Sequence, residues 1–143
     1  DILFTFVYDK CDAVSRMALW HSLTNLQPGR NSWFIGGDFN TIADISEKKG
    51  GAPYSCSSMQ DFNDFMMNSG LMDLCFSGSR YTWCNNRKGC RRIWSRLDRC
   101  LENLQGVDSF PLTSVSYLTR SLSDHSPLLV SIKKEDRMDG HLI

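Results

Sequence analysis

With 143 residues, 41% of them hydrophobic, 11% aromatic and 22% charged, the chain has the size and balance of one globular domain around a single core, which excludes a disordered or low-complexity protein. Its 16 basic and 16 acidic residues cancel, so a nucleic-acid surface has to come from local clustering and not from bulk charge. No apolar run approaches the roughly 20 residues of a membrane helix, and the six cysteines form no C-x-x-C pair, which argues against a zinc knuckle and for free thiols of a reducing, intracellular compartment.

The opening "DILFTFVY" is acidic at its first residue, carries no basic n-region and no initiator Met, and enters a strand at once over Ile2 to Tyr8. It reads as cut from something longer. Asp12 is the expected N-cap of an amphipathic helix whose apolar residues are Val14, Met17, Ala18, Leu19, Leu23 and Leu26, stopping at Pro28-Gly29. The strand "SWFIGGDF" follows, then a loop, "ISEKKGGAPYS", that its glycines and proline should keep irregular. A second helix is expected over "SCSSMQDFNDFMMNSG", with Ser57 and Gln60 at capping-box spacing, Phe62, Phe65 and Met66 on one face, and Gly70 just past the end. Short strands come next: "LMDLCF", "RYTWC", "RIWSRLDRCL", "TSVSYLT" and "SPLLVSIKK". Residues 134–143 read as a flexible tail. Helices between strands early and several strands late predict a layered α/β domain, an α+β sandwich whose mixed sheet is flanked by helices.

Three places put polar groups where a strand ends or is buried. Asp38 and Asn40 lie two apart, so they share a face if the extended backbone continues through Phe39; capping and an Asx turn are the plain alternative. Gly36 and Gly37 leave room beside that strand. In "SLSDHSPLLV" a hydroxyl, a carboxylate and an imidazole are consecutive, so Asp124 and His125 must contact different things; a hard cation and a phosphate would suit them. In "RRIWSRLDRCL", alternation groups Asp98 with Trp94 and Arg96, opposite Ile93, Ser95 and Leu97. A buried carboxylate needs a partner: Arg96 or Arg99 structurally, or His125 functionally. From Arg80 to Arg99, seven basic residues (Arg80, Arg87, Lys88, Arg91, Arg92, Arg96, Arg99) meet one acid, with Tyr81, Trp83 and Trp94 interleaved, a pattern that suits a DNA backbone or a solvated hairpin tip.

In order along the chain, "VY", "R..LW..L", "GDFN", "DL", "YTW.N", "RLDR" and "SDHSPLLV" resemble the endonuclease/exonuclease/phosphatase superfamily, and more narrowly the endonuclease domain of plant LINE-type non-LTR retrotransposons. The resemblance runs from about Phe4 to about Lys133. It implies a partial DNase I-like four-layer fold and magnesium-assisted hydrolysis of a phosphodiester, with manganese as a substitute, that nicks DNA. By it, Asp38 activates water, Asn40 holds the phosphate, His125 stabilises the transition state with Asp98 as its partner, and Tyr8 touches the phosphate. Asp124 belongs to the metal cluster, Thr82 and Ser123 support or contact the phosphate, and the loop carrying Arg87, Lys88, Arg91 and Arg92 lies beside DNA. A reverse-transcriptase region is implied as a partner in the parent polyprotein.

The match has gaps. The superfamily's early Asn and metal-binding Glu have no counterpart here: Tyr8 is followed by Asp9, Lys10 and Cys11, and Glu47 falls after "GDFNT", the wrong place for that ligand. Residues 1–133 therefore read as the C-terminal part of such a domain, with weak magnesium binding, exposed apolar faces and little or no activity. A non-catalytic nucleic-acid-binding remnant and a phosphatase of the same superfamily are the alternatives.

Overall fold

The computed structural model describes residues 1–9, 11–26 and 28–136. Its strands are β1 (Ile2–Tyr8), β2 (Ser32–Asp38), β3 (Lys48–Lys49), β4 (Leu71–Asp73), β5 (Phe76–Ser77), β6 (Trp83–Cys84), β7 (Trp94–Ser95), β8 (Asp98–Asn103), β9 (Ser114–Tyr117) and β10 (Leu128–Ser131). The helices are α1 (Ala13–Asn25), α2 (Cys56–Asn68) and α3 (Leu104–Ser109).

A central sheet in the order β1-β2-β8-β4 has α1 and α2 on one face and a second sheet, β10-β9-β5, on the other. Strands β1 and β2 are parallel while β8 is antiparallel to both β2 and β4, so the sheet is mixed. Trp33, Ile35 and Leu101 alternate onto the helix side, where they meet Trp20 and Leu23 of α1 and Phe62 and Phe65 of α2. Phe34 and Cys100 face the other way, against Val115 and Tyr117 of β9. A third small sheet, β3-β7-β6, stands at the end of the central one.

Helix ends follow side-chain chemistry. Asp12 Oδ1 accepts from the Ser15 N–H (2.8 Å) at the start of α1. At α2 the cap is Ser55, which accepts from the Ser58 N–H, and not the expected Ser57–Gln60 box; Gln60 instead donates to Asp64 one turn on. Gly70, at φ +63, ends α2 as expected.

Several sequence expectations need correction. The buried stripe of α1 is Arg16, Trp20 and Leu23, while Val14, Met17 and Ala18 are exposed, because contact with α2 turns the helix toward the Trp20 face. The stretch 45–55 is not wholly irregular: a 3₁₀ turn, Ile45–Glu47, leads into β3. "LMDLCF" divides into β4 and β5, and "RIWSRLDRCL" into β7 and β8, each piece serving a different sheet. The chain bends between β7 and β8 because Arg96 turns inward to two carboxylates, which breaks the assumed alternation. Residues 134–136 carry no regular element, and 137–143, the rest of the expected tail, lie outside the described residues.

That bend creates a buried ion cluster. Arg96 is bidentate to Asp73 (2.6 and 2.9 Å) and also reaches Glu47 (3.0 Å); Arg99, fully enclosed, reaches Glu47 (2.7 Å) and Asp73 (2.8 Å). Burial alone would raise the Glu47 carboxyl, but the hydrogen bonds and charge of Arg99 bring it below its ordinary value. Arg96 and Arg99, counted by sequence with the DNA surface, are therefore core residues.

Candidate active site

Strand register assembles the site. Tyr8 is paired with Asp38, and Asp38 with Asp98, so three polar residues stand side by side where β1 and β2 end and β8 begins. The strands can come this close because Gly37, at φ +139, carries no side chain: a Cβ there would lie 2.0 Å from the Val7 carbonyl. Trp83 of β6 bridges to His125, which brings the imidazole to the same place.

His125 Nδ1 lies 2.9 Å from Asp98 Oδ2, and its Nε2 lies 3.8 Å from Asp38 Oδ2. The hydrogen bond and charge of Asp98, opposed by burial, raise the imidazole pKa above its ordinary 6.5. Asp98 thus takes the functional partner and not Arg96 or Arg99. Asp98 is itself placed by the backbone: Thr82 Oγ1 accepts from the Leu97 and Asp98 N–H groups (3.0 and 3.1 Å), and Tyr117 donates to the Asp98 carbonyl (2.6 Å). Thr82 is fully enclosed, so its hydroxyl braces the strand and has no opening to a substrate.

Asp38 combines both meanings open to it in the sequence. Its Oδ1 accepts from the Asn40 N–H (2.8 Å), an Asx turn that puts Asn40 at φ +50, while Oδ2 faces His125. Burial, with the charge of Asp98 adding to it, pushes the Asp38 carboxyl up to about 6. Asn40 Nδ2 donates to the Asp9 carbonyl (3.0 Å), leaving the second amide N–H available to the cleft.

These groups open onto a cleft of about 530 Å³ lined by Tyr8, Asp38, Asn40, Trp83, Asp124 and His125 among others. Tyr8 stands exposed at the rim. Asp124 is exposed, its Oδ2 accepting from the Trp83 indole N–H (3.1 Å), and Ser123 Oγ accepts from the His125 N–H (3.1 Å). Arg87, Lys88 and Arg91 lie apart on the exposed loop between β6 and β7, lining a separate concavity. Arg92 and Arg120 lie over the Trp94 ring at this loop's base, 5.8 and 5.1 Å from its centre.

Asp38, Asp98 and His125 offer ligand atoms within 4.8 Å of one another, a set that could hold a metal ion. Two carboxylate oxygens suit magnesium, and the imidazole widens the choice to manganese. Asp124, expected in the metal cluster, is not in this set. Arg16, Lys48, Tyr54 and Ser58 also line the cleft and escaped the sequence reading, although Arg16 heads the "R..LW..L" motif.

Helices over a mixed sheet, backed by a second sheet with an Asp-Asp-His group at the strand ends, define a DNase I-like fold. No protein-family model and no curated protein sequence matches the chain. Among solved structures it is similar to the endonuclease domain of TRAS1, a telomere-specific non-LTR retrotransposon, at 21% identity and a TM-score of 0.59 over 89% of this chain and 54% of that one. It is also similar to beta toxin 275-280 from Staphylococcus aureus, at 15% identity and a TM-score of 0.55 over 92% of this chain and 52% of that one. The chain spans about half the length of both.

Proposed function

We propose that residues 1–133 form part of a retrotransposon-type endonuclease domain that hydrolyses a phosphodiester of DNA and leaves a nick. The observation that carries this reading is the hydrogen-bonded Asp98–His125 pair facing Asp38 across 3.8 Å in an open cleft. Asp38, ionised above about pH 6, orients the attacking water and takes its proton. His125, kept protonated by Asp98, donates to a phosphate oxygen as negative charge builds there. Asn40 and Tyr8 hold the phosphate from the opposite side, and Ser123 fixes the turn that presents His125. Asp38 and Asp98 would hold magnesium or manganese, with His125 left to the phosphate, and the bound cation would supply Lewis-acid stabilisation of the phosphate. The exposed Arg87, Lys88, Arg91 and Arg92 contact the DNA backbone.

The cation is held weakly by these residues. One Asp38 oxygen is committed to Asn40, Asp98 is engaged by His125, Asp124 by Trp83, and Glu47 is neutralised by two arginines. Nicking by the 143 residues alone is therefore very weak. A supercoiled-plasmid assay with magnesium tests this: trace nicking lost in Asp38→Ala and His125→Ala is expected, and robust nicking overturns the weak-cation reading. The basic loop supports a second reading, DNA binding without cleavage, which salt-dependent binding with no nicking at any metal concentration distinguishes. Likeness to a retrotransposon domain supports an intracellular setting beside a reverse transcriptase. No helix among the described residues is long and apolar enough to cross a membrane.

A further inference from the structure

The cleft has a second end that this chemistry does not use. Strand pairing sets Lys48 opposite Ser95, Ser95 opposite Trp83, and Trp83 opposite His125, and all four line the cleft. Directly paired residues share a face of the sheet, so they form one row along the wall. At about 4.8 Å per strand step, Lys48 stands roughly 14 Å from His125.

The Lys48 end is constructed to hold a positive charge in place. Lys48 Nζ donates to the Gly50 carbonyl (2.8 Å) and to the Ala52 carbonyl, which uses two of its three N–H donors and leaves one for a ligand. The loop needs its glycines to do so: Gly51 sits at φ +71, and a Cβ there would lie 2.7 Å from Ile93 Cδ1 and 3.3 Å from Lys48 Nζ. Arg16 and the hydroxyls of Tyr54, Ser55 and Ser58 line the same cleft. Arg16 is held at the loop carrying Asn40, donating from NH1 to the Cys11 and Asn40 carbonyls (2.6 and 3.3 Å) and from NH2 to Ser58 Oγ (3.4 Å). An ammonium held in place with one N–H to spare, in a cleft lined by hydroxyls, suits phosphate oxygens, and the Trp83 indole between Lys48 and His125 offers a ring face on which a base can stack.

We propose that the Lys48 end of the cleft is a second phosphate subsite, so that the cleft takes a nucleic-acid strand presenting phosphates in series and discriminates against ligands with a single phosphodiester. The inference rests on the reading of Asp38, Asp98 and His125 as the site of the scissile phosphodiester.

Affinities of the whole chain for the thymidine oligonucleotides TpT and TpTpTpT, measured by NMR titration at one fixed salt concentration, test it. Three phosphodiesters against one give a statistical gain of about threefold, whereas the subsite adds about tenfold more, roughly 30-fold in all. Lys48→Gln should bring the ratio down to about threefold, while Lys49→Gln, at the exposed neighbour, should leave it near 30-fold. A ratio of about threefold in the unmodified chain, with TpT binding abolished by His125→Ala, overturns the subsite and leaves the phosphodiester site standing. Equal loss of the ratio in both lysine variants also overturns it, as a general charge effect. Failure of both oligonucleotides to bind overturns both readings.

Discussion

Arg96 and Arg99 lie two and one residues from Asp98, yet the arginines and the aspartate belong to clusters of opposite character. The arginines, both buried, meet Glu47 and Asp73 in a group of two cations and two anions, matched charge for charge. Asp98 joins Asp38 and a single histidine, where carboxylates outnumber the cation and the group opens to a cleft. In the first cluster pairing overcomes burial and the Glu47 carboxyl stays ionised. In the second, burial prevails and Asp38 is pushed up to about 6. The same residue types are structural where their charges close and, on the proposed mechanism, reactive where they do not.

Breaking the open cluster should affect chemistry and leave the fold standing. His125→Ala is expected to lower residual magnesium-dependent nicking by about 10²–10⁴-fold, about 3–5 kcal/mol of barrier, with a smaller loss of urea stability than the arginine variant below. Breaking the closed one should do the reverse. Arg99→Met leaves buried Glu47 and half-buried Asp73 sharing one arginine and should cost about 3–5 kcal/mol of stability in urea unfolding; an unmoved midpoint would show that the cluster does not stabilise the fold.

Thr82 connects the two regions, since the bend that buries Arg96 also presents the Leu97 and Asp98 N–H groups to its hydroxyl. Thr82→Val strands those donors and should cost about 1–3 kcal/mol, with a shift in the His125 imidazole titration followed by NMR. The smallest effect is on protonation alone. Asp98→Asn removes the main cause of the raised His125 pKa, so that titration should move to lower pH.

Both open-site groups give the same sign in pH dependence. The fold favours protonated His125, so its contribution is complete below the ordinary pKa of 6.5 and is lost as pH rises through the raised value. The fold favours neutral Asp38, so stability also falls as pH climbs from 3.8 to about 6. The proposed mechanism needs Asp38 ionised and His125 protonated, so it predicts a rate that climbs through about pH 6 and declines above the ordinary histidine range. In Asp98→Asn the alkaline limb should retreat to lower pH.

Much of this was legible in one dimension. Hydrophobic patterning located β1, β2 and both long helices, and Asp12 and Gly70 marked helix boundaries because their side-chain chemistry acts within one turn. The ordered motifs carried Asp38, Asn40, Asp98 and His125. What misled was the assumption that an apolar run is one strand: "RIWSRLDRCL" serves two sheets, and the buried pull of Glu47 and Asp73 on Arg96 comes from 49 and 23 residues away.

The sequence by itself thus determined the local elements and the kinds of chemical group available, because caps, turns and periodicity depend on near neighbours. Only the tertiary structure decided which charges meet. It sent two arginines from an expected DNA surface into the core, left Asp124 on the Trp83 indole, and lined Lys48 up with His125 across three strands. Pairing energies follow distance in space, which the order of residues does not record.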